Sequence, residues 1–223
     1  MNIKLGLCLI FASLSVASGS QLSLTTSDVI GFNGQYSGTF TAGSILNHQT
    51  GTISEPTQDN SYWLNSDNGP ANAYIVIDLG AAYHITSFDL FNTHNGGFGD
   101  RGTGNFTIEA GNSVGAGVGP GFDLSGPTVE LVNGTLVAAI PANDPLIAQT
   151  FTSSDGGFYR YIRFSPHSVA SANGACCGSN VYGLNELRVF DGPVDNSIPE
   201  PAPMALLAGG LGLLGWLRSR TAR

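Results

Sequence analysis

The chain has 223 residues, of which 11% are charged, 31 are glycine and three are cysteine. Residues 20–201 contain four basic and all 16 acidic side chains, and no lysine. Because nucleic-acid affinity depends largely on Lys and Arg neutralising phosphates, this balance argues against a nucleic-acid partner. It suits neutral or cationic ligands and divalent ions, or serves only to keep the protein soluble.

The first 19 residues have the pattern of a secretory signal peptide. They contain one lysine, an apolar stretch from Leu5 to Ala12 and small residues at Ala17 and Gly19, which is typical of an export signal with its cleavage site. We reject lipoprotein attachment at Cys8, because Leu7 is too large for the position before the cleavage point. The chain is therefore predicted to be exported.

Residues 20–195 are predicted to form one β domain. Period-two or continuous apolar patterns mark strands, and clusters of Gly, Asn, Ser and Pro separate them. The predicted strands are residues 73–80, 85–92, 105–110, 130–140, 158–164 and 184–190. Several short strands with turn signals between them indicate an all-β fold, a β-sandwich or jelly roll. The roughly 40 residues before Trp63 are expected to complete this sandwich as its first strands.

The mature domain contains two cysteines, Cys176 and Cys177, which are adjacent in sequence. An oxidising compartment permits a disulfide. Neighbouring cysteines close only a strained ring, far from relaxed disulfide geometry. A bond between these two residues and pairing with another molecule both remain open.

Residues 196–223 read as a sorting tail. Pro199-Glu200-Pro201 is followed by an apolar run at 204–217 and then by arginines. These 14 residues are short for a permanent helical anchor, which needs about 20. The tail resembles the PEP-CTERM sorting signal of Gram-negative bacteria that make extracellular polysaccharide. That resemblance implies export through the inner membrane, transient membrane contact through 204–217, arrest by the arginines, and cleavage by an exosortase-type enzyme near the Pro-Glu-Pro step. The product would be secreted or held at the outer cell surface.

Residues 60–192 resemble the discoidin, or coagulation factor 5/8 type C, family. The matching features occur in order: Tyr62-Trp63, Asp78-Leu79-Gly80, Ile85-Thr86, Asn92, Arg101-Gly102-Thr103 before Phe106, and Leu184-Asn185-Glu186-Leu187. The resemblance implies a galactose-binding-like jelly roll. From the residues themselves we expect Trp63 to pack at the edge of the sandwich, Asp78 to accept hydrogen bonds from turn amides, and Arg101 to brace its loop through a bidentate contact to a carboxylate.

Family members often carry a structural calcium ion, which the resemblance implies here as well. Glu186 matches the glutamate that the family uses in its last strand. Members commonly have Asp-Gly about seven residues before the Trp, whereas this chain has Pro56 at that spacing. Glu55 and Asp59 are the available substitutes, and acidic loops suit a cation that takes six to eight oxygen ligands.

Ligand sites in the family lie on loops at one end of the sandwich, where a rigid scaffold positions variable side chains. The corresponding segments are residues 94–100 and 167–182. Sugar binding needs an aromatic face together with side chains that hydrogen-bond hydroxyl groups. The candidates are His94, Phe98, Asp100 and Tyr182. The alternative is a glycine-rich loop of ordinary polar residues without a ligand.

The sequence disfavours an enzyme. Its four histidines are scattered, and it has neither a G-x-S-x-G elbow nor an H-E-x-x-H zinc helix. Paired carboxylates for glycoside hydrolysis would need a cleft, and a small jelly roll usually offers a shallow surface. We therefore expect a noncatalytic, secreted or cell-surface module that binds carbohydrate or exopolysaccharide. The competing hypothesis is a structural matrix protein without a specific sugar ligand.

Overall fold

The computed structural model describes residues 19–50, 62–65, 72–93, 99–140, 145–171, 174–175 and 181–192. Strands dominate these ranges, and the helices described are two short 3₁₀ turns at Thr26–Asp28 and Ala42–Leu46. The strands are β1 (Ser20–Gln21), β2 (Val29–Asn33), β3 (Trp63–Leu64), β4 (Tyr74–Phe91), β5 (Gly102–Thr103), β6 (Asn105–Gly111), β7 (Gly119–Pro120), β8 (Thr128–Thr135), β9 (Ala148–Thr152), β10 (Phe158–Pro166), β11 (Val169–Ala170), β12 (Gly183–Leu184) and β13 (Glu186–Asp191).

The long strand β4 links the two layers of the sandwich. Its first half pairs with β10 and β2, so that Ile75 lies opposite Phe164, and its second half pairs with β13 and β9, so that Leu90 lies opposite Leu187. The full order is β1-β13-β4-β10-β6-β8, with β2, β7 and β9 attached at the side. A separate four-stranded sheet has the order β11-β5-β12-β3.

The predicted strands at 73–80 and 85–92 form one continuous strand, so the prediction of two strands was wrong. Residues 81–84 stay extended, and Tyr83 and His84 pair with the start of β10. The discontinuity is confined to Gly80, which has φ +83°, and to a register shift in β10. Asp78 accepts a hydrogen bond from the Gly80 amide at 2.8 Å, as predicted. A single glycine in the left-handed region therefore changes the strand's course without ending it.

The core lies between the two layers and is filled by large side chains. Ile75 and Ile77 from β4, Phe106 from β6 and Phe164 from β10 have no exposed surface. Trp63, which was expected at the edge of the sandwich, is fully buried in the main core, and its indole N–H donates to the Gly34 carbonyl at 3.1 Å. A buried indole with its polar atom satisfied fixes one orientation of the ring.

The residues before Trp63 complete the sandwich, as predicted. β1 pairs with β13 and β2 pairs with β4. The predicted strand at 130–140 is observed only as far as Thr135, and β9 was missed. Within the described ranges, no helix is long and apolar enough to span a membrane. The predicted signal peptide, except its last residue, and the predicted tail lie outside the described residues, as do Cys176 and Cys177.

Candidate functional site at the loop end

The four-stranded sheet brings the two predicted ligand loops together. β11, which follows His167, pairs with β5, which follows Arg101, and β5 pairs in turn with β12. The Ser171 hydroxyl donates to the Gly99 carbonyl at 3.0 Å. The described parts of both loops thus meet at one end of the sandwich, next to β3 and β12.

A buried asparagine holds this end in place. Asn92 is 2% exposed, and its side-chain oxygen accepts hydrogen bonds from the Thr93 and Thr103 amides at 3.0 and 2.9 Å. Its side-chain nitrogen donates to the Thr103 and Val137 carbonyls at 2.8 and 3.0 Å. All four hydrogen-bonding positions of the amide are used. The side chain therefore ties the end of β4 to β5 and to the segment after β8.

A series of aromatic rings runs from this end toward solvent. Tyr62 is fully buried, Phe40 is 7% exposed, and Tyr36 is 42% exposed. The ring centroids of Phe40 and Tyr62 are 4.9 Å apart, and those of Tyr36 and Phe40 are 5.8 Å apart in an edge-on arrangement. The Tyr36 amide donates to the Leu64 carbonyl at 2.9 Å, which fixes the backbone beneath the ring. Tyr36 therefore presents an aromatic surface on a rigid support.

Charged groups of the predicted loop lie close to Tyr62, the buried end of this aromatic series. Burial raises the pKa of Tyr62, the positive charge of Arg101 acts against this shift, and the negative charge of Asp100 adds to it. The Asp100 Oδ1 and Arg101 Nε atoms are 3.9 Å apart, and both side chains are about one-fifth exposed. Arg101 thus faces the carboxylate beside it in sequence. We call Tyr36, Asp100, Arg101 and Ser171 the loop-end surface.

The structure places two of the four predicted ligand residues, one at the loop end and one in the core. Asp100 belongs to the loop-end surface, whereas His94 and Phe98 lie outside the described residues. Tyr182 is only 2% exposed and packs in the main core, so its ring has no face free to stack on a sugar. We remove Tyr182 from the candidate ligand residues. Tyr36, which the sequence analysis missed, supplies an exposed aromatic ring instead.

The predicted calcium ligand Glu186 is fully buried at the start of β13. Its Oε2 accepts a hydrogen bond from the His48 amide at 3.0 Å, and its Oε1 lies 3.2 Å from His48 Nδ1 and 3.5 Å from Arg188 Nε. Burial raises the pKa of Glu186, while His48 and Arg188 act in the opposite direction. His48 itself has φ +61°, a left-handed conformation in which both its amide and its ring reach the carboxylate.

These contacts do not by themselves make a calcium site. The groups beside the Glu186 carboxylate are nitrogen donors, whereas calcium takes oxygen ligands. Within the described residues, no three His, Cys, Asp or Glu side chains are grouped so that they could hold a metal. Glu55 and Asp59 lie outside those residues. Calcium binding therefore stays a prediction.

Two pockets lie among the described residues near this end. One has a volume of about 190 Å³ and is mainly apolar, lined by Asn92, Val137, Ala138, Ala139, Leu146, Ile147 and Gln149. The other has a volume of about 200 Å³ and is more polar, lined by Asn72, Ala73, Tyr74, Asp123, Arg163, Ser165 and His167. We call the second one the sheet-face pocket.

The fold can be compared with known proteins. No protein-family model matches the chain, and no curated protein matches it in sequence. Among solved structures, it is similar to the module CBM32-3 of a family 31 glycoside hydrolase from Clostridium perfringens, with a TM-score of 0.52, 13% identity, and coverage of 77% of this chain and 96% of the module. It is also similar to the family 32 carbohydrate-binding module of C. perfringens NanJ, solved with galactose, with a TM-score of 0.50, 14% identity, and coverage of 77% and 98%.

A third similar structure is the chitosan-binding module 1 of a chitosanase/glucanase from Paenibacillus sp. IK-5, with a TM-score of 0.50, 12% identity, and coverage of 77% of this chain and 98% of the module. These identities are low, so the similarity establishes the fold. The chain has the galactose-binding-like jelly roll of family 32 carbohydrate-binding modules, which confirms the predicted fold class.

Proposed function

We propose that this protein is a noncatalytic carbohydrate-binding protein and that its loop-end surface contacts the sugar. The observation that carries the proposal is the fold: the chain is similar over 96–98% of their length to carbohydrate-binding modules. The likeness covers the whole module and not a shared fragment. The matched structures therefore support binding of a glycan as the activity of this domain.

The loop-end surface has the chemistry that sugar binding requires. The exposed ring of Tyr36 can pack against the C–H face of a pyranose, and the partly exposed Asp100 carboxylate can accept hydrogen bonds from hydroxyl groups. Arg101 adds a donor beside it, and the Ser171 oxygen, whose proton goes to the Gly99 carbonyl, adds an acceptor. Because the domain is acidic and lacks lysine, neutral or amino sugars are favoured over acidic ones.

The test is binding of the full chain, in mild detergent, to a glycan array and to immobilised polysaccharides. Tyr36→Ala is expected to weaken binding by about tenfold, equivalent to ~1.4 kcal/mol. Phe158→Ala is the matched control, because Phe158 is a similarly exposed ring (46%) that stacks against His84 on another part of the domain. Equal loss in both variants, or no loss in either, would contradict the assignment of the loop-end surface.

An Asp100→Asn variant tests the polar part of the same surface. It keeps the size of the side chain and removes the charge, so we expect weaker binding of amino sugars with a smaller effect on neutral ones. Absence of saturable binding to any glycan would overturn the proposed function. In that case the domain would serve as an acidic structural component of the extracellular matrix.

We further propose that the protein is exported and sorted to the cell envelope by residues 196–223, with an exosortase-type enzyme as its processing partner. The support is the sequence of the tail: Pro199-Glu200-Pro201, the apolar run at 204–217 and the arginines after it. Replacing Glu200 by Ala is expected to leave uncleaved protein in the membrane fraction. Normal release of that variant would contradict the sorting proposal without affecting the binding proposal.

A further inference from the structure

The sheet-face pocket lies on the side of the sandwich that faces away from the core. Along β10, Ile162 and Phe164 point into the core and are fully buried, so Arg163 and Ser165 point to the opposite face. On the neighbouring strand β4, Tyr74 occupies the same face, since Ile75 next to it is a core residue. The pocket is therefore built on rigid, paired strands.

The pocket contains polar groups that have no partner in the protein. The hydroxyl groups of Tyr74 and Ser165 and the side-chain amide of Asn72 make no hydrogen bond to any described residue, although all three line the pocket. Arg163 Nε is buried and also lacks a partner within the described ranges. Groups that converge on a concave surface with unused hydrogen-bonding capacity are typical of a ligand site.

The charges around the pocket determine which ligand it can accept. Arg163 Nη1 donates to Asp123 Oδ2 at 2.9 Å, and its Nη2 contacts Glu109 Oε2. Two carboxylates thus occupy the guanidinium, and the three side chains together carry a net negative charge. The fork of Arg163 is not available to a sulfate, phosphate or carboxylate on a ligand, and the remaining charge would repel one.

The shape of the pocket sets the size of the ligand. Its volume of about 200 Å³ exceeds the roughly 150 Å³ of a cavity that holds one benzene molecule. One six-membered sugar ring therefore fits, with its remaining substituents at the mouth. Asp123 retains lone pairs for a sugar hydroxyl beyond the bonds from Arg163 and the Leu124 amide. Burial raises the pKa of Tyr74, the nearby Asp123 charge adds to this, and Arg163 opposes it, so the phenol stays protonated and can donate.

We propose that the sheet-face pocket is a second carbohydrate site, which takes a single pyranose unit without acidic groups through Asn72, Tyr74, Asp123 and Ser165. This proposal rests on the proposed function only for the class of ligand, because the residues of the pocket are separate from the loop-end surface. A second site lets one chain hold two points of a polysaccharide, or two chains of it, which raises retention without a stronger individual contact.

The experiment is a protein-observed NMR titration of the full chain in mild detergent with galactose, glucosamine and glucuronate oligosaccharides. The double variant Tyr74→Phe/Ser165→Ala removes only two hydroxyl groups, and Tyr83→Phe/Ser87→Ala on the same strand β4 is the matched control. We expect galactose or glucosamine oligosaccharides to shift the signals of Asn72 and Ser165. The shift should require roughly 30-fold more ligand in the pocket variant, equivalent to ~2 kcal/mol for two lost neutral hydrogen bonds, and the control should be unchanged.

The outcomes separate the two proposals. Shifts confined to the loop-end surface and unaffected by the pocket variant would overturn the second site while leaving the proposed function intact. Shifts in the pocket that survive Tyr36→Ala would support it as an independent site. Equally tight binding of glucuronate oligosaccharides would contradict the charge argument and with it the proposed ligand class. Absence of shifts in both places would overturn both proposals.

Discussion

Replacing Asn92 by Ala is expected to destabilise the protein far more than an ordinary asparagine substitution. Three of the four backbone groups that Asn92 satisfies belong to Thr93 and Thr103, which are 1% and 0% exposed. The fourth, the Val137 carbonyl, keeps a partner in Gln149 at 3.2 Å. At roughly 1–1.5 kcal/mol for each of the three buried groups left unsatisfied, the expected loss is about 3–4.5 kcal/mol of a total that is typically 5–15.

An Asn92→Asp variant gives the same hypothesis a pH signature. The new oxygen would take the place of the nitrogen that donates to the Thr103 and Val137 carbonyls, so a carboxylate there would face two acceptors. The protonated acid can donate to one of them, which raises the folded-state pKa above the unfolded value of about 3.9. A group whose pKa is raised on folding contributes stability below the unfolded pKa and loses it as pH rises through the folded pKa. The variant should therefore approach wild-type stability near pH 3–4 and fall behind toward pH 7.

Urea unfolding measured between pH 3 and pH 8 checks both expectations, with the midpoint compared at a constant m-value. Asn112→Ala is the matched control: Asn112 is exposed and also exchanges two hydrogen bonds with backbone groups, at 2.9 and 3.0 Å, so its loss should stay below about 1 kcal/mol. If Asn92→Ala costs no more than Asn112→Ala, the argument from buried unsatisfied groups is refuted. A pH-independent deficit in Asn92→Asp would refute the assignment of its acceptors.

Three further changes test other parts of the molecule. Asp78→Asn removes the bidentate contact with Arg160 (both N···O distances 2.9 Å), which together with a turn amide holds the pKa of Asp78 below 3.8. The substitution should lower the free energy of unfolding by under about 1 kcal/mol at pH 7. The difference from the wild type, measured by urea midpoints, should disappear as pH falls below 3.8. Gly183→Ala places a Cβ 2.8 Å from a backbone carbonyl and should cost about 1–3 kcal/mol, whereas Gly38→Ala, with nothing within 4 Å, should not. Calcium should raise the melting temperature of the wild type and not of Glu186→Gln; no rise in the wild type, or the same rise in both, would contradict the calcium prediction.

The sheet layers were predictable because their strands are long enough to show a pattern. β6 alternates core and outward residues over six positions, and β10 and β13 do so over about four, which periodicity detects. β3, β5, β11 and β12 have two residues each, too few for any period, and only pairing between distant segments creates them. Gly80 was predicted to end a strand, but the strand continues past it. A glycine in the sequence does not by itself distinguish a turn from a bend within a continuous strand.

The candidate site was harder to predict than the fold for a related reason. Tyr36 and Tyr182 are both tyrosines in glycine-rich segments, yet one is 42% exposed and the other 2%. What separates them is tertiary packing. The Tyr182 carbonyl accepts a hydrogen bond from the Asn65 amide, and the Tyr182 amide donates to the Asn65 side-chain oxygen, whereas the Tyr36 ring lies at the outer end of an aromatic series. No local signal carries that difference. Residue type predicted that an aromatic ring would belong to the site, but it did not predict which of the two tyrosines faces solvent.

The four short strands and Asn92 explain how an end with so little regular structure can still present a defined surface. Two-residue strands contribute few ladder hydrogen bonds, so their position depends on side-chain bonds. Examples are the two bonds between the Asn92 side chain and the Thr103 backbone, and the bond that the Thr103 hydroxyl donates to the Gly183 carbonyl at 2.8 Å. These bonds are buried, and a buried polar network specifies one arrangement when all its members are satisfied. Because a ligand that binds an already ordered surface does not have to order it, the network lowers the entropic cost of binding. The apolar core between the sheets keeps the domain folded, whereas the polar network at this end determines where Asp100 and its neighbours lie.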